Sequence, residues 1–320
     1  MNDIPSNRYE VEKGKIAILL ATYNGERYLR ELLESLIGQS LQNFCCFVHD
    51  DGSKDGTVKI LEDYCSQYPQ RFVMVEGEST GGAKSNFMYL MNQVRADYYM
   101  FCDQDDVWLP EKVKMSYDLI EKQKMDIPTV VYTDLKIVNS NLNLIDSSYY
   151  HYTGKNPSKN SLIDLLKCNV TVGCTMMINR VLRDKALQVS NLDNIFMHDW
   201  WISLIASISG QLIFLNEQTI LYRQHGDNSV GAIKKKKNIE KVVQYVNYRE
   251  MIKKKKYYVQ RPRLFCKELS KVVNQECEAK KFIEACASID KCSKFQRIKF
   301  YKQWKLFSDN SSRIWQMLWV

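Results

Sequence analysis

Tyr99-Met100-Phe101-Cys102-Asp103-Gln104-Asp105-Asp106-Val107-Trp108 is an apolar, strand-like run that ends abruptly in three carboxylates within four residues. Carboxylates this dense repel one another unless positive charge sits among them. Hard divalent cations such as Mg²⁺ and Mn²⁺ take oxygen ligands and share them with substrate phosphates, so the stretch reads as a metal-diphosphate site at a strand end. Asp is also common in solvated turns and helix caps. The apolar residues ahead of the acids favour delivery to the carboxyl edge of an open α/β sheet, where such sheets bind ligands.

Working outward, the same unit recurs. Lys15–Leu20 is a short apolar run, followed by Ala21-Thr22-Tyr23-Asn24-Gly25 and a helical stripe through Tyr28, Leu29, Leu32, Leu33, Leu36 and Ile37. Phe44–Val48 leads through His49–Thr57 into a second helical pattern at Val58, Ile60 and Leu61. Phe72–Val75 leads through Gly81–Asn86 into a third, at Phe87, Leu90, Met91 and Val94. Four strands alternating with helices predict a doubly wound, mainly parallel α/β sheet whose polar loops share one crevice. The glycine fingerprints of dinucleotide enzymes and P-loop ATPases are missing, which disfavours both.

Six motifs then occur in order: A-T-Y-N-G at 21–25, H-D-D-G-S-K-D-G-T at 49–57, G-G-A-K-S-N-F at 81–87, D-Q-D-D-V-W-L-P-E-K at 103–112, H-D-W at 198–200 and Y-R-Q-H-G-D-N at 222–228. Over residues 15 to 230 the chain resembles the inverting nucleotide-sugar glycosyltransferases of family 2, with the GT-A (Rossmann-like) fold. The acid motif and the late Y-R-Q-H-G are most similar to those of rhamnosyltransferases and related enzymes of bacterial surface polysaccharides.

The resemblance implies roles residue by residue. Ala21, Thr22 and Tyr23 would meet the nucleotide, with Tyr23 over the base. Asp51 would accept the N–H of a pyrimidine, as an ionised carboxylate can, or it is the Asx residue of a turn before Gly52. Lys84 would contact the diphosphate. Asp105 would ligate Mg²⁺ or Mn²⁺ with Asp103 in support, and His225 would complete the metal's shell or bind the diphosphate. Asp106, Trp108, His198 and Trp200 would shape the sugar or acceptor pocket, although large aromatics at a helix start also serve as core. Asp199 would be the base that takes the acceptor's proton; by position alone it also reads as a helix N-terminal acid. Relatives often carry Glu where this chain has His198.

Composition bounds the rest. The 320 residues accommodate one catalytic domain and a smaller appendage. Ten cysteines without a secretory signal or regular framework read as reduced cytosolic thiols. The organisation expected is an N-terminal extension over 1–14, a catalytic domain over 15–232 with nucleotide-binding (15–110) and acceptor (111–232) halves, and a basic, aromatic helical region over 233–320. That last region carries Lys234–Lys237, Lys253–Lys256 and aromatic residues through Trp319, and it more than accounts for the net charge of +8. It suits peripheral contact with an anionic inner leaflet bearing a polyprenyl-diphosphate-linked glycan acceptor, and equally a cap on the catalytic domain or a homo-oligomer contact. Nucleic acid is disfavoured as a partner, because no binding motif is present. A sugar-phosphate nucleotidyltransferase would need a glycine-rich, basic loop after the first strand, which A-T-Y-N-G does not supply. A non-catalytic scaffold would keep the fold and could dispense with the base.

Overall fold

The computed structural model describes residues 9–12, 14–225, 248–273 and 279–304, with backbone alone for 248–259. The strands are β1 (Tyr9–Glu10), β2 (Ile16–Thr22), β3 (Phe44–Asp50), β4 (Phe72–Met74), β5 (Val94–Arg95), β6 (Tyr98–Asp103), β7 (Val107–Trp108), β8 (Thr129–Asn139), β9 (Leu144–Asp146), β10 (Met176–Asn179) and β11 (Gln211–Gln224). The helices are α1 (Glu26–Ile37), α2 (Thr57–Gln67), α3 (Ala83–Gln93), α4 (Lys112–Ile120), α5 (Tyr149–Thr153), α6 (Leu162–Lys167), α7 (Arg180–Ala186), α8 (His198–Ser209), α9 (Tyr248–Val272), α10 (Lys280–Ala287) and α11 (Lys294–Gln303).

The main sheet runs β4-β3-β2-β6-β10-β8-β11-β7, with β9 paired to β8. β4, β3, β2 and β6 are mutually parallel, as the alternation with helices predicts. β10 then runs antiparallel between β6 and β8, and β11 returns parallel to β8, so the sheet is mixed. The apolar runs Leu212–Leu215 and Thr219–Leu221 lie on one long strand, β11, bent by register shifts on either side of Gln218.

The continuous apolar run of β2 follows from its central place, because a strand covered on both faces has no solvent side to make polar. Ala17 and Leu19 pack into the core beneath α3 and α8, whereas Ile16, Ile18 and Leu20 pack beneath α1 and α4. The α1 stripe of Tyr28, Leu29, Leu32, Leu33 and Leu36 is buried as its spacing requires. Each such Leu contributes about 1.5–3 kcal/mol on burial. Between α8 and β11 the backbone of Gly210 runs so close to Pro128 that a Cβ would lie 1.8 Å from that carbonyl oxygen. Only glycine turns there.

Both expected flanking regions join the catalytic core. Tyr9 and Glu10 pair with Val94 and Arg95, and Val11 is buried. On the C-terminal side Phe265, Cys266, Leu269, Phe282, Ile283, Cys286 and Tyr301 share one buried cluster with α3, α7 and α8. Residues 1–8, the boundary at 232, Gly226-Asp227-Asn228, Lys234–Lys237 and the aromatic stretch from Phe307 to Trp319 lie outside the described residues, as do the side chains of Lys253–Lys256. No described cysteine forms a disulfide, and no described helix is long and apolar enough to cross a membrane.

Candidate active site

Strand register decides which polar groups meet. Ala21 lies opposite His49 on one side and Asp103 on the other, so the carboxyl ends of β2, β3 and β6 are level. Side chains then stitch the emerging loops together. The Gln104 amide accepts from Tyr23 N at 2.8 Å and donates to Tyr23 O at 2.9 Å. Asn24 accepts from Lys54 N, while Glu26 accepts from Gly56 N and donates its own N–H to Asp55. Thr22 is buried and its hydroxyl donates to Asp50, so it braces the loop from below. Ala21 is half-buried, and the Tyr23 ring is 54% exposed at the rim.

Asp51 is buried with both carboxylate oxygens engaged. Thr80 N, Gly81 N, Ser79 Oγ and Thr80 Oγ1 donate to Oδ1, and Gly82 N donates to Oδ2 at 2.6 Å. Burial alone would raise its pKa, but these donors hold it below the usual carboxylate range. Asp51 therefore shapes the 79–82 turn, in which Gly82 adopts φ +132°. The Asx turn expected of Asp51 before Gly52 belongs instead to Asp50, whose Oδ1 accepts from Gly52 N and Ser53 N.

At the end of β6 the acids divide. Asp105 faces His225 across the crevice, with Oδ2 and Nε2 2.7 Å apart. Asp103 and Asp106 turn toward Cys174, their ligand atoms within 4.8 Å of one another. Burial, reinforced by the charge of Asp105, pushes both carboxyls well above their ordinary range. Burial pushes the Cys174 thiol well above its ordinary range, so in the absence of a cation it is protonated and donates to these carboxyls. A carboxylate-imidazole pair beside strained acids suits a hard or borderline divalent cation, whose charge would relieve the repulsion.

Arg223 holds this loop in place. Its buried guanidinium donates to Asp105 O at 2.9 Å, Ser140 O and Glu31 Oε2, each at 2.6 Å, and lies 4.3 Å from the Tyr28 ring centroid. Its backbone N–H donates to Asp106 Oδ1. Beneath the loop Lys112 is fully buried, with Nζ 4.5 Å from the Trp108 ring centroid and pKa pulled down to about 8 by burial.

Three expected pocket residues lie below the surface. Asp106 is fully buried, and Trp108 is only 2% exposed, sandwiched in the α1–α4 core. The His198 ring is packed between Phe87 and Phe101 at centroid distances of 4.3 and 4.9 Å, and burial drives its pKa down to about 3. Trp108 and His198 lie among aromatic and aliphatic side chains, whereas Asp106 lies among Asp103, Cys174 and the Arg223 backbone N–H. Trp200 is half-buried but occupied: Nε1 donates to Leu165 O, and Arg261 of α9 stacks on its ring at 4.1 Å. Lys84 directs two donors to Leu192 O and Ile195 O, the loop that leads into α8, and so braces the acceptor side instead of standing free for a diphosphate.

Asp199, in the first turn of α8, is buried beside Gly173, whose neighbour Cys174 faces Asp103 and Asp106. Trp200 N donates to Oδ1, and Asn169 Nδ2 donates to Oδ2 at 3.0 Å. Burial raises its pKa to about 6, against the lowering pull of Trp200 N–H, Lys155, Gly173 N–H and Asn169. At neutral pH it is an ionised acceptor for a hydroxyl proton.

Sequence reasoning overlooked Lys112, Lys155, Asn169 and the buried Glu268 of α9. Lys112 could have been found, because it falls on the buried face of α4 with Val113, Ser116 and Ile120. Glu268 accepts from Ser190 N, Ser190 Oγ and Asn194 Nδ2 across 74 or more residues of chain, and no local pattern announces it.

Comparison with known proteins agrees with this architecture. Residues 17–186 match the model of Glycosyl transferase family 2. The chain is 30% identical to the dTDP-rhamnosyl transferase RfbG of Shigella flexneri over 227 residues, 67% of this chain and 74% of that one. It is 24% identical to an uncharacterized glycosyltransferase of Methanocaldococcus jannaschii, over 78% of this chain and 83% of that one. It spans 59% of three uncharacterized mycobacterial relatives. Among solved structures, S. aureus TarS 1–349 superposes with a TM-score of 0.54 at 16% identity, covering 86% of this chain and 88% of TarS, and it has also been solved with UDP. The matched segment holds the parallel strands and the whole acid loop, and the chain belongs to glycosyl transferase family 2, a glycosyltransferase of the GT-A fold.

Proposed function

We propose that this glycosyltransferase moves a sugar from a nucleoside diphosphate, dTDP-rhamnose first and a UDP-hexose next, to a hydroxyl of a bacterial surface-polysaccharide intermediate, with inversion at the anomeric carbon. The observation that carries the reading is the placement of Asp105 against His225, 2.7 Å apart, just beyond the carboxyl end of β6. Likeness to a dTDP-rhamnosyl transferase supports the donor.

Asp105 and His225 would hold Mg²⁺ or Mn²⁺, with Asp103 in support; when bound, the cation offsets the charge that builds on the departing diphosphate. Tyr23, exposed at the rim, covers the base. Asp199 accepts the proton of the attacking hydroxyl as its oxygen bonds to the anomeric carbon and the carbon–oxygen bond to the diphosphate breaks. Asn169 and Trp200 N–H hold the carboxylate so that it cannot turn away from that hydroxyl. The exposed Phe295 on α11, 86% accessible and flanked by Lys294 and Lys299, suits a peripheral contact with the anionic leaflet that carries a lipid-linked acceptor.

The test is release of nucleoside diphosphate from dTDP-rhamnose, UDP-glucose and UDP-galactose with Mn²⁺, water serving as acceptor. Asp199→Asn is expected to lose about 100-fold or more in rate while nucleotide still binds. Asp105→Ala is expected to lose Mn²⁺-dependent binding of the nucleotide as well. Full turnover by Asp199→Asn would sink the base assignment.

A further inference from the structure

Around Asp199 the chain builds a polar cradle from segments well ahead of α8 in sequence, Asn169 lying 30 residues before Asp199. Asn169 is fixed in one orientation: its Oδ1 accepts from Thr171 N at 3.1 Å and Thr171 Oγ1 at 2.8 Å, so its amide nitrogen must face Asp199. Thr171 is in turn hydrogen-bonded to Ser203, one turn along α8 from Asp199. Lys155, between α5 and α6, donates to Asn169 O at 2.9 Å and to Tyr149 Oη at 2.7 Å. Two of its three donors are thereby anchored, and a long flexible side chain is held in one place beside a buried carboxylate. A surface lysine is not restrained in this way, and a helix N-terminal acid has no need of two remote partners.

We propose that Lys155 and Asn169 are positioning residues for the catalytic carboxylate, Lys155 supplying the fixed positive charge and Asn169 the hydrogen bond that keep Asp199 ionised and aimed at the acceptor hydroxyl. The proposal rests on Asp199 being the base. The charged and titratable groups around Asp199 are Lys155 and Tyr149 from the α5 side, Asp103 from β6, and its neighbour His198, which is neutral. Lys155 is the one cation in that set, and it is tied to Asp199 through Asn169, whose backbone O it binds and whose side-chain amide donates to the carboxylate. Burial disfavours the ionised base and its lysine opposes that penalty, so deleting the lysine raises the pH needed to ionise Asp199.

The experiment is the pH dependence of nucleoside diphosphate release from dTDP-rhamnose with Mn²⁺, alongside nucleotide affinity and the thermal midpoint. In Lys155→Met the acidic limb is expected to move up by about one unit, with nucleotide affinity unchanged, and Lys155→Arg is expected to return the limb toward its native position. Asn169→Ala is expected to move the limb in the same direction and also to lower the plateau rate. If the limb stays in place in both Lys155→Met and Asn169→Ala while rates fall only in step with the thermal midpoint, the cradle is a structural brace and the proposal is overturned. The Asp199→Asn control separates the two readings. If that variant remains active with its acidic limb intact, the base assignment fails first; if it is inactive while the Lys155→Met limb is unmoved, only this proposal fails.

Discussion

The donor half and the acceptor half of this enzyme are assembled on different terms. In the donor half, the ends of β2, β3 and β6 are brought level by parallel pairing, and the loops tie to one another through Gln104, Asn24, Asp50 and Asp51 within about one hundred residues of chain. In the acceptor half Asp199 depends on remote supports: Asn169 and Lys155 beside it, Lys84 reaching over from α3, and Glu268 reaching in from α9. Adjacent strand ends can be read as motifs, and so can Asp199 itself, but the distant straps that hold it cannot. The contrast has an exception in Arg223, which comes from β11 and, with His225 just beyond it, reaches the acid loop of the donor half.

That exception gives the largest expected effect on stability. Arg223→Met would leave the carbonyls of Asp105 and Ser140 without their donor in a buried setting, and a loss of about 3 kcal/mol is expected in urea unfolding. Weaker Mn²⁺ binding should accompany it. If stability falls while Mn²⁺ affinity holds, the acid loop is set by the donor half alone and the contrast becomes absolute.

Glu268→Gln tests the acceptor half at a smaller cost, about 1–2 kcal/mol, because the amide keeps the shape but loses charge-assisted acceptance from the 190–194 loop. The pH dependence has a definite sign. Burial would raise the Glu268 pKa, but Asn194, Lys271 and Ser190 hold it down to about 2, below its unperturbed value of 4.5. Its stabilisation is therefore complete above about pH 4.5 and is lost as pH falls toward 2. The stability gap between the native protein and Glu268→Gln should be widest near neutrality and narrow on acidification; a gap independent of pH would show that Glu268 acts by packing only.

The smallest effect belongs to His198→Phe. The imidazole sits neutral between Phe87 and Phe101 with neither ring nitrogen hydrogen-bonded among the described residues, so a larger apolar ring should change stability by about 1 kcal/mol or less. Nucleoside diphosphate release should stay within a few-fold of native. A large loss of activity with unchanged stability would return His198 to the acceptor pocket and blur the boundary between the halves.

The legible parts of the sequence share a physical origin. Apolar runs at Ile16–Leu20 and Tyr98–Cys102 must be buried strands, and the 3.6-residue stripe on α1 must face a core, because burial is periodic in the chain itself. Asp105, His225 and Asp199 were singled out through motif order, and folding sets Asp105 against His225. Asp106, Trp108 and His198 adjoin those residues in sequence but are buried, which no local period announces.

By itself, then, the sequence determined the α/β class, the four parallel strands, the acid-rich strand end and the family, all of which rest on local periodicity and on short motifs. Only the tertiary structure decided that β10 reverses the sheet, that the C-terminal helices share the catalytic core, that Asp51 organises a turn, and that Lys155, Asn169 and Glu268 serve the acceptor side. Those outcomes depend on which surfaces remain to be buried once the first strands have paired. Such complementarity between distant segments leaves no period in the chain to read.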